Sequence, residues 1–238
     1  MKLIIGPKGK TYLLKNNEQE MHTQHGVIKI AKKDGIVKSH LGEEYIQTKA
    51  NFIDKLLNCK RGPQVVLPKD AAAIVVNSSL PVGGKVVDAG SGSGWLSSFL
   101  ANYVGEKGSV TTYEIRKEFS EIAKYNHKFL GLKNIKRKLA DITKGIKERK
   151  LDLITLDLLT PTKVPNIPQA LKAGGYVVAY VPHLEQAEQF VQFAKEQGLW
   201  YDKTIEIIER EWKLNNKKLK EKMGAIGHTA YLVFCRKI

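Results

Sequence analysis

A β-branched run that ends in an acidic residue and three alternate glycines constrains the fold of this chain most strongly. It occupies residues 85–95 and reads KVVDAGSGSGW. Glycine has no Cβ, so the backbone can turn sharply off a strand here and a ligand can lie directly against it. Apolar residues then recur at helical spacing over residues 95–104. The stretch predicts a strand, a loop that can hold a ligand, and a helix; the simpler alternative is a Gly-rich turn without a ligand.

From residue 85 onward, strands and helices alternate along the sequence. Hydrophobic patterning predicts strands over residues 86–89, 109–113, 135–139, 151–156 and 176–181, and helices over residues 95–104, 119–130 and 184–197. An earlier helix is predicted over residues 69–79, with its cap near Asp70. Residues 204–209 and 229–234 predict a C-terminal antiparallel hairpin. This alternation is typical of an α/β fold with a doubly wound, mostly parallel sheet.

The first part of the chain has a different pattern. Short β-prone pieces at residues 11–14, 26–30, 35–37 and 44–47 alternate with turn signals rich in Gly, Asn and Asp. We therefore expect two domains, a small β-rich N-terminal domain over residues 1–58 and a larger α/β domain over residues 59–238.

Charge and cysteine content restrict the class of protein. The 238 residues contain 39 Lys+Arg against 24 Asp+Glu, a formal net charge of +15. Such a charge favours polyanionic partners, nucleic acid above all, although a uniformly Lys-rich surface is the alternative. The two cysteines are far apart, so neither a disulfide framework nor a cysteine metal site is expected. Without a long apolar run or a signal-peptide pattern, a cytoplasmic enzyme is the simplest interpretation.

Acidic residues stand at or just after four consecutive predicted strands. They are Asp88, Glu114, Asp141 and Asp157. Ligands of doubly wound sheets bind beyond the carboxyl ends of the strands, near the point where the strand order reverses. One or two acidic residues at such positions are explained as N-caps of the following helices. Four in succession predict a ligand site at this edge of the sheet.

The glycine spacing indicates which ligand this edge holds. Dinucleotide-binding loops read G-x-G-x-x-G, whereas this loop reads G-x-G-x-G, the form seen in S-adenosylmethionine (SAM) methyltransferases. A dehydrogenase is therefore the weakest alternative, and the absence of a P-loop Lys-Ser/Thr disfavours nucleotide triphosphate hydrolysis.

Glu114 is suited to accept hydrogen bonds from both ribose hydroxyls of an adenosyl group. Asp141 is suited to the adenine amine, or else caps the next short helix. Asp157 would lie beside the transferable methyl group, or else be satisfied by loop amides.

Several motifs together resemble the tRNA (adenine-N1)-methyltransferase family, which methylates the T-arm adenine at tRNA position 58. The matching segments are residues 67–70 (LPKD), 88–94 (DAGSGSG), 113–116 (YEIR), 156–161 (LDLLTP), 178–182 (VAYVP), 210–212 (REW) and 227–231 (GHTAY). Residues 40–43 (HLGE) resemble the end of that family's small N-terminal β-domain. The resemblance thus covers nearly the full chain. The glycine loop is generic to methyltransferases, but its combination with Pro-Lys-Asp and Gly-His-Thr is not.

The resemblance implies a fold, a cofactor and partners. The fold would be the seven-stranded SAM-methyltransferase sheet, mostly parallel with an antiparallel C-terminal strand, and the assembly a homotetramer that binds tRNA. SAM would be the cofactor, with no metal. The residues expected to bind it are Asp88, Gly90, Ser91, Gly92, Ser93, Gly94, Trp95, Leu96, Glu114, Ile115, Asp141, Ile142 and Asp157.

Asp157 is the expected catalytic residue. Adenine N1 carries no proton, so the reaction requires its lone pair in line with the methyl group rather than a strong base. As N1 is alkylated the ring becomes cationic, and its N6 amino group becomes a better donor. A carboxylate that accepts from N6 would recognise adenine and stabilise charge that grows in the transition state. N1 lies on the Watson–Crick edge, so the base must also leave its pairing or stacking.

Two positions depart from the family pattern. Leu67 stands where the family usually has a Tyr before Pro-Lys-Asp, which puts an aromatic stack on the target base in doubt. No Arg-Pro pair precedes residues 227–229. His228 either contacts the substrate or is satisfied by local hydrogen bonds. Tyr180 and Trp212 are interpreted as core or interface aromatics.

Two other functional classes remain compatible with the sequence. One is a SAM-dependent methyltransferase of a protein or a small molecule, which would not require so basic a chain. The other is a catalytically weak RNA-binding subunit that keeps the fold. The sequence leaves open whether adenine 57 is methylated as well as adenine 58.

Overall fold

The chain consists of two compact units, Met1–Cys59 and Lys60–Ile238. The structure is a computed structural model, and it describes residues 1–15, 18–62, 64–215, 218–221 and 227–238. No helix within these ranges is long and apolar enough to cross a membrane.

The N-terminal unit is built from short antiparallel strands. They are β1 Lys2–Ile5, β2 Thr11–Leu14, β3 Glu20–Thr23, β4 Gly26–Lys29, β5 Gly35–Lys38 and β6 Glu44–Lys49, followed by helix α1 Phe52–Leu57. Four of them form a sheet in the order β2-β1-β6-β5, and β3 pairs with β4. Its small core includes Ile4, Ile28 and Tyr45. The four predicted β-prone pieces are all strands, whereas β1 and β3 were not predicted.

The second unit is an α/β structure around one large sheet. Its strands are β7 Lys85–Ala89, β8 Ser109–Glu114, β9 Ile135–Leu139, β10 Leu151–Leu156, β11 Leu171–Val181, β12 Trp200–Glu206, β13 Trp212–Asn215, β14 Lys218–Glu221 and β15 Tyr231–Arg236. Its helices are α2 Pro68–Asn77, α3 Trp95–Val104, α4 Lys117–Leu130, α5 Ile167–Ala170 and α6 Leu184–Glu196. Strands β13 and β14 form a separate hairpin.

The large sheet has seven strands in the order β12-β15-β11-β10-β7-β8-β9. Strands β7 to β11 are parallel, and β15 runs antiparallel to both β11 and β12. The predicted fold, with its antiparallel C-terminal strand, is therefore confirmed. In this sheet β8 lies on one side of β7, and β10 lies on the other side. The strand order thus reverses between β7 and β10, which is where such sheets bind ligands.

Apolar residues fill both faces of this sheet. Because side chains alternate along a strand, Val86 and Leu153 lie in the core on one face, whereas Val87 and Ile154 lie in the core on the other. Strands buried on both faces read as continuous apolar runs, which is how β10 and β11 were recognised in the sequence.

Some predicted boundaries are wrong. Helix α2 begins at Pro68, with Leu67 at the N-cap position, rather than being capped near Asp70. Proline favours the first helical position because its φ angle already suits a helix, and Asp70 instead turns into the interior. Strand β11 begins at Leu171, earlier than the predicted residue 176, and its pairing with β10 is irregular between Leu151 and Leu153. The last two strands of the sheet are each displaced by a few residues from their predicted positions.

Candidate active site

The glycine loop leaves β7 and enters α3 through three left-handed backbone positions. The φ angles are +78° at Gly90, +49° at Gly92 and +77° at Gly94. A Cβ on Gly90 would overlap the backbone carbonyl oxygen of Asp157, so this glycine lets the loop pack against the end of β10. A Cβ on Gly94 would lie 2.6 Å from His127 Nε2, so this glycine lets α3 pack against α4. The glycines therefore serve the packing of the loop as well as access to its backbone.

Glu114, at the end of β8, organises the loop. Its carboxylate is buried and accepts from Gly92 N at 2.9 Å and from the backbone N–H groups of Ile115 and Arg116 at 3.0 Å each. Arg116 Nε lies 3.3 Å from the same carboxylate. Three of these bonds end on Oε1, whereas Oε2 accepts only from Gly92 N, so Oε2 keeps one lone-pair site for a ligand.

Two further carboxylates lie where the strand order reverses. Asp88 Oδ1 accepts a 2.7 Å hydrogen bond from Thr155 Oγ1, whereas its buried Oδ2 has no partner among the described residues. Burial raises the pKa of Asp88 to about 6. Burial, together with the charges of Asp88 and Glu114, raises the pKa of Asp157 to about 7. No hydrogen bond from the described part of the chain offsets this effect, so loop amides do not satisfy Asp157.

Two cavities meet at these carboxylates. The first, the Tyr180 cavity, measures about 250 Å³, and the second, the Asp141 cavity, about 420 Å³. Gly90, Arg116 and Asp157 line both, so Asp157 stands at their junction.

Most residues predicted to bind the cofactor line one of these cavities. Those in the Tyr180 cavity are Asp88, Gly90, Ser91, Gly92, Ser93, Trp95, Leu96 and Asp157. Those in the Asp141 cavity are Gly90, Glu114, Ile115, Asp141, Ile142 and Asp157. Gly94 lines neither cavity.

Unpartnered polar atoms are concentrated in the Tyr180 cavity. Among the described residues, five buried side-chain polar atoms have no hydrogen-bond partner, and three of them are Asp88 Oδ2, Ser93 Oγ and the Tyr180 hydroxyl. All three of these residues line the Tyr180 cavity. Buried polar atoms without partners are costly and rare in folded proteins. Their concentration here indicates a surface built to be completed by a ligand.

Asp141 lies on the wall of its cavity and also caps a helix. It accepts from Thr143 N at 2.9 Å and from Thr143 Oγ1 at 2.7 Å, at the start of the 3₁₀ helix Ile142–Lys144. These hydrogen bonds lower the pKa of Asp141. The two interpretations of Asp141 are thus compatible, since one residue caps the helix and faces the cavity.

Leu67 and His228 line neither cavity, although their neighbours do. Residues 64–66 precede Leu67 and line the Tyr180 cavity, as does Thr229. His228 Nδ1 lies 2.5 Å from Glu206 Oε1, and its Nε2 lies 2.9 Å from the Pro182 carbonyl oxygen. Both partners are acceptors, so both ring nitrogens must donate. The hydrogen bond to Glu206 is the main reason that the pKa of His228 is raised.

Sequence reasoning missed several cavity residues. Tyr180 was interpreted as a core or interface aromatic, yet it lines a cavity with Asp157. Arg116 and Thr229 line the same cavity, although the motifs that contain them, residues 113–116 and 227–231, indicate no role for either. Trp212, in contrast, is 58% exposed. The segment 222–226, where the family's Arg-Pro pair is missing, lies outside the described residues.

The charges around the cavities favour a cationic ligand. Four carboxylates line them, those of Asp88, Glu114, Asp141 and Asp157. Arg116 is the one cationic side chain among the described lining residues, and it is engaged with Glu114 and stacked on Phe119 at 4.0 Å. A ligand that carries positive charge would offset the repulsion among these carboxylates.

Comparisons with known proteins show a tRNA methyltransferase family. The model for the tRNA methyltransferase complex GCD14 subunit matches residues 56–226. A TrmI from Methanocaldococcus jannaschii, named as a tRNA (adenine(57)-N(1)/adenine(58)-N(1))-methyltransferase, is 35% identical over 99% of this chain and 94% of that protein.

Two solved structures are similar over the full length of the chain. The crystal structure of tRNA (m1A58) methyltransferase TrmI from Aquifex aeolicus has a TM-score of 0.82 and 25% identity, over 100% of this chain and 96% of that one. A SAM-dependent O-methyltransferase from Thermotoga maritima has a TM-score of 0.88 and 28% identity, over 100% of this chain and 92% of that one.

Proposed function

The chain belongs to the tRNA (adenine-N1)-methyltransferase family, and on this basis we propose that it transfers a methyl group from SAM to N1 of adenine 58 in tRNA. The observation that carries the proposal is the position of Asp157, whose carboxylate lies at the junction of two cavities and has no hydrogen-bond donor among the described residues. One cavity suits the adenosyl part of a cofactor, and the other has room for the methionine part and an acceptor base.

The residues present fit SAM, which when bound supplies an electrophilic methyl group on a sulfonium. Glu114 Oε2 accepts from a ribose hydroxyl, and Asp141 accepts from the adenine amine. The glycine loop, with no Cβ at Gly90, lies against the methionine part. The unpartnered oxygens of Asp88 and Ser93 offer hydrogen-bonding sites to the methionine ammonium and carboxylate groups.

The charge pattern supports the same assignment. SAM carries a sulfonium and an ammonium group, both positive. Burial and the charges of neighbouring carboxylates raise the pKa values of Asp88 and Asp157, so a cation placed between these two residues is stabilised by them and favours their ionised forms. A negatively charged dinucleotide would meet repulsion at the same place.

Asp157 recognises and stabilises the target adenine. Its carboxylate accepts a hydrogen bond from N6, which orients the N1 lone pair toward the methyl group. Positive charge develops on the ring as the N1–C bond forms, and the buried carboxylate stabilises it more than water would, because the cavity has a low effective dielectric constant. No proton has to leave N1.

Transfer should depend on pH through Asp157. Its pKa is raised to about 7 in the free protein, and a cation beside it lowers that value. At saturating SAM we therefore expect kcat/KM for tRNA to rise with pH, with a midpoint at or below about 7, and to level off above it. Initial rates from about pH 5 to 8 check this. An Asp152→Asn variant, changed at the opposite end of β10, should keep the same profile, whereas activity that falls or stays flat over this range would contradict the assignment.

tRNA is the macromolecular partner in this proposal. The formal charge of +15 supports binding of the phosphate backbone. N1 is accessible only if the adenine leaves its stack or pair, so the enzyme must bind an extruded base. We also propose that the protein acts on tRNA in the cytoplasm.

We further propose that the chain forms a homotetramer. Trp212 and Leu214 of the β13–β14 hairpin are 58% and 74% exposed, and exposed apolar side chains of this size are typical of association surfaces. Light scattering coupled to size-exclusion chromatography should give a mass four times that of the 26.7 kDa chain. A Trp212→Lys variant should shift the mass downward; a monomeric wild-type protein would contradict the proposal.

The activity is tested by incubating tRNA transcripts with the protein and isotopically labelled SAM, followed by nuclease digestion and mass spectrometry. The expected product is N1-methyladenosine in the fragment that contains position 58, and the same digest reports on position 57. Label on a ribose or protein oxygen, or unmethylated tRNA beside normal cofactor binding, would contradict the proposal.

A further inference from the structure

Two motifs that are far apart in the sequence meet beside the Tyr180 cavity. Thr229 Oγ1 donates to Asp70 Oδ2 at 2.9 Å, and Lys69 Nζ donates to Thr229 Oγ1 at 2.7 Å and to Asp70 Oδ1 at 2.8 Å. These three side chains, the Lys69–Asp70–Thr229 triangle, join the first turn of α2 to the segment before β15. The reaction described above uses none of their hydrogen bonds.

The triangle is buried and its polar groups are satisfied. The Lys69 side chain is 7% exposed and that of Asp70 is fully buried. The third ammonium hydrogen bond goes to the Ile207 carbonyl oxygen at 2.6 Å. Taking two such charges out of water costs several kcal/mol per ion, and an apolar replacement of the same shape is often as stable. A gain in stability therefore does not explain the ion pair at this place. A requirement for a fixed geometry of the three side chains does explain it.

Only one member of the triangle reaches the cavity. Thr229 lines the Tyr180 cavity together with Tyr180 and Pro182, whereas Lys69 and Asp70 do not. The Tyr180 hydroxyl lies close to Asp70 and Thr229, without hydrogen-bond geometry to either. On its other side the segment is fixed by His228, which binds the Pro182 carbonyl oxygen. Thr229 is thus held from two directions at the cavity wall.

We propose that Lys69 and Asp70 are positioning residues that fix Thr229 as part of the wall against which the target adenine is held. They touch neither substrate nor cofactor and act through Thr229. This inference rests on the proposed function, because it assigns the Tyr180 cavity to the acceptor base.

The test compares Asp70→Asn with two variants of Thr229. Asparagine keeps the shape of Asp70 but removes its charge, and the amide nitrogen that replaces one oxygen can only donate, so the ion pair with Lys69 is lost and the bond with Thr229 must reverse. We expect kcat/KM for tRNA to fall about tenfold or more, while the dissociation constant of SAM changes less than about twofold. Thr229→Val, which keeps the shape without the hydroxyl, should show the same defect, and Thr229→Ser should remain close to wild type. Because the bonds form one unit, the double variant Asp70→Asn/Thr229→Val should lose less than the sum of the two effects.

The matched control is Asp152→Asn. Asp152 is also a largely buried carboxylate paired with a lysine, Lys172, and it accepts from Lys85 N at 2.7 Å at the end of β10 remote from the site. This variant should lose thermal stability without losing kcat/KM for tRNA. Wild-type transfer by Asp70→Asn, or an equal loss of SAM affinity, would overturn the inference. If Asp70→Asn does not fold, the difference between Thr229→Val and Thr229→Ser decides. Failure of the wild-type protein to methylate tRNA would instead refute the proposed function.

Discussion

Replacing Asp157 by alanine is expected to lower the rate of methyl transfer to tRNA by about 10³-fold and to change SAM affinity only a few-fold. The magnitude follows from the loss of a preorganised group that acts on charge developing in the transition state. SAM binding is largely kept because Glu114, Asp141 and the glycine loop supply the other contacts. Single-turnover rates at saturating SAM and calorimetric titration of SAM measure the two effects separately.

The same variant should also be more stable than the wild type. The pKa of Asp157 is raised to about 7 in the folded protein from its ordinary 3.8, so the folded state binds the proton more tightly than the unfolded state. Stability from this group therefore falls as pH rises from about 4 to 7. Asp157→Ala removes that cost, and its melting temperature should exceed that of the wild type at pH 8 and less so at pH 5.

Asp152→Ala is the control for Asp157→Ala, since the two aspartates lie at opposite ends of β10. Asp152 accepts from Lys85 N and pairs with Lys172, so its loss should lower the melting temperature and leave transfer near the wild-type rate. Near-normal turnover by Asp157→Ala would remove Asp157 from the mechanism.

A Gly90→Ala substitution is expected to abolish both SAM binding and transfer. The added Cβ would overlap the carbonyl oxygen of Asp157, which belongs to the backbone and cannot rotate away as a side chain could. Either the loop or the end of β10 must shift, and both carry cofactor-binding residues. SAM titration and circular dichroism would show lost binding in a protein that keeps most of its secondary structure.

Gly90→Ala has two costs, the left-handed backbone conformation of the alanine and the steric overlap of its Cβ. Gly131→Ala has only the first of these. Gly131 has a φ of +73°, close to the +78° of Gly90, but a Cβ there meets no atom within 4 Å. The free energy of unfolding of Gly131→Ala should fall by only roughly 1–2 kcal/mol, the cost of an alanine in the left-handed conformation, and the variant should keep SAM binding. If Gly90→Ala and Gly131→Ala bound SAM equally well, the overlap with Asp157 would not be the reason that position 90 requires glycine.

Local patterns predicted where the carboxylates of this site come together. Parallel strands end at one edge of a sheet, so acidic residues at four strand ends had to converge, and Glu114, Asp141 and Asp157 do line one cavity. The glycine spacing likewise predicted the turn into α3. What the sequence did not show is that Glu114 also binds the loop itself, through the Gly92 N–H.

The acceptor side was harder to predict because its residues carry no local pattern. Tyr180 lies in an apolar strand and reads as core, and only the antiparallel pairing of β15 with β11 brings Thr229 beside it. The bond from Thr229 to Asp70 spans 159 positions, a distance over which periodicity gives no information. For the same reason Asp70 was interpreted as a cap, although it binds a residue near the other end of the chain.

The role of Asp157 is tested most directly with tRNA that carries purine, which lacks the 6-amino group, at position 58. Wild-type protein should methylate this tRNA far more slowly than the adenine-containing one, because Asp157 has no N6 hydrogen to accept. In Asp157→Ala the two tRNAs should react at similar, low rates, so that the effects of the two changes do not add. Rapid methylation of the purine-containing tRNA by the wild-type protein, or full additivity of the two losses, would contradict recognition of N6 by Asp157.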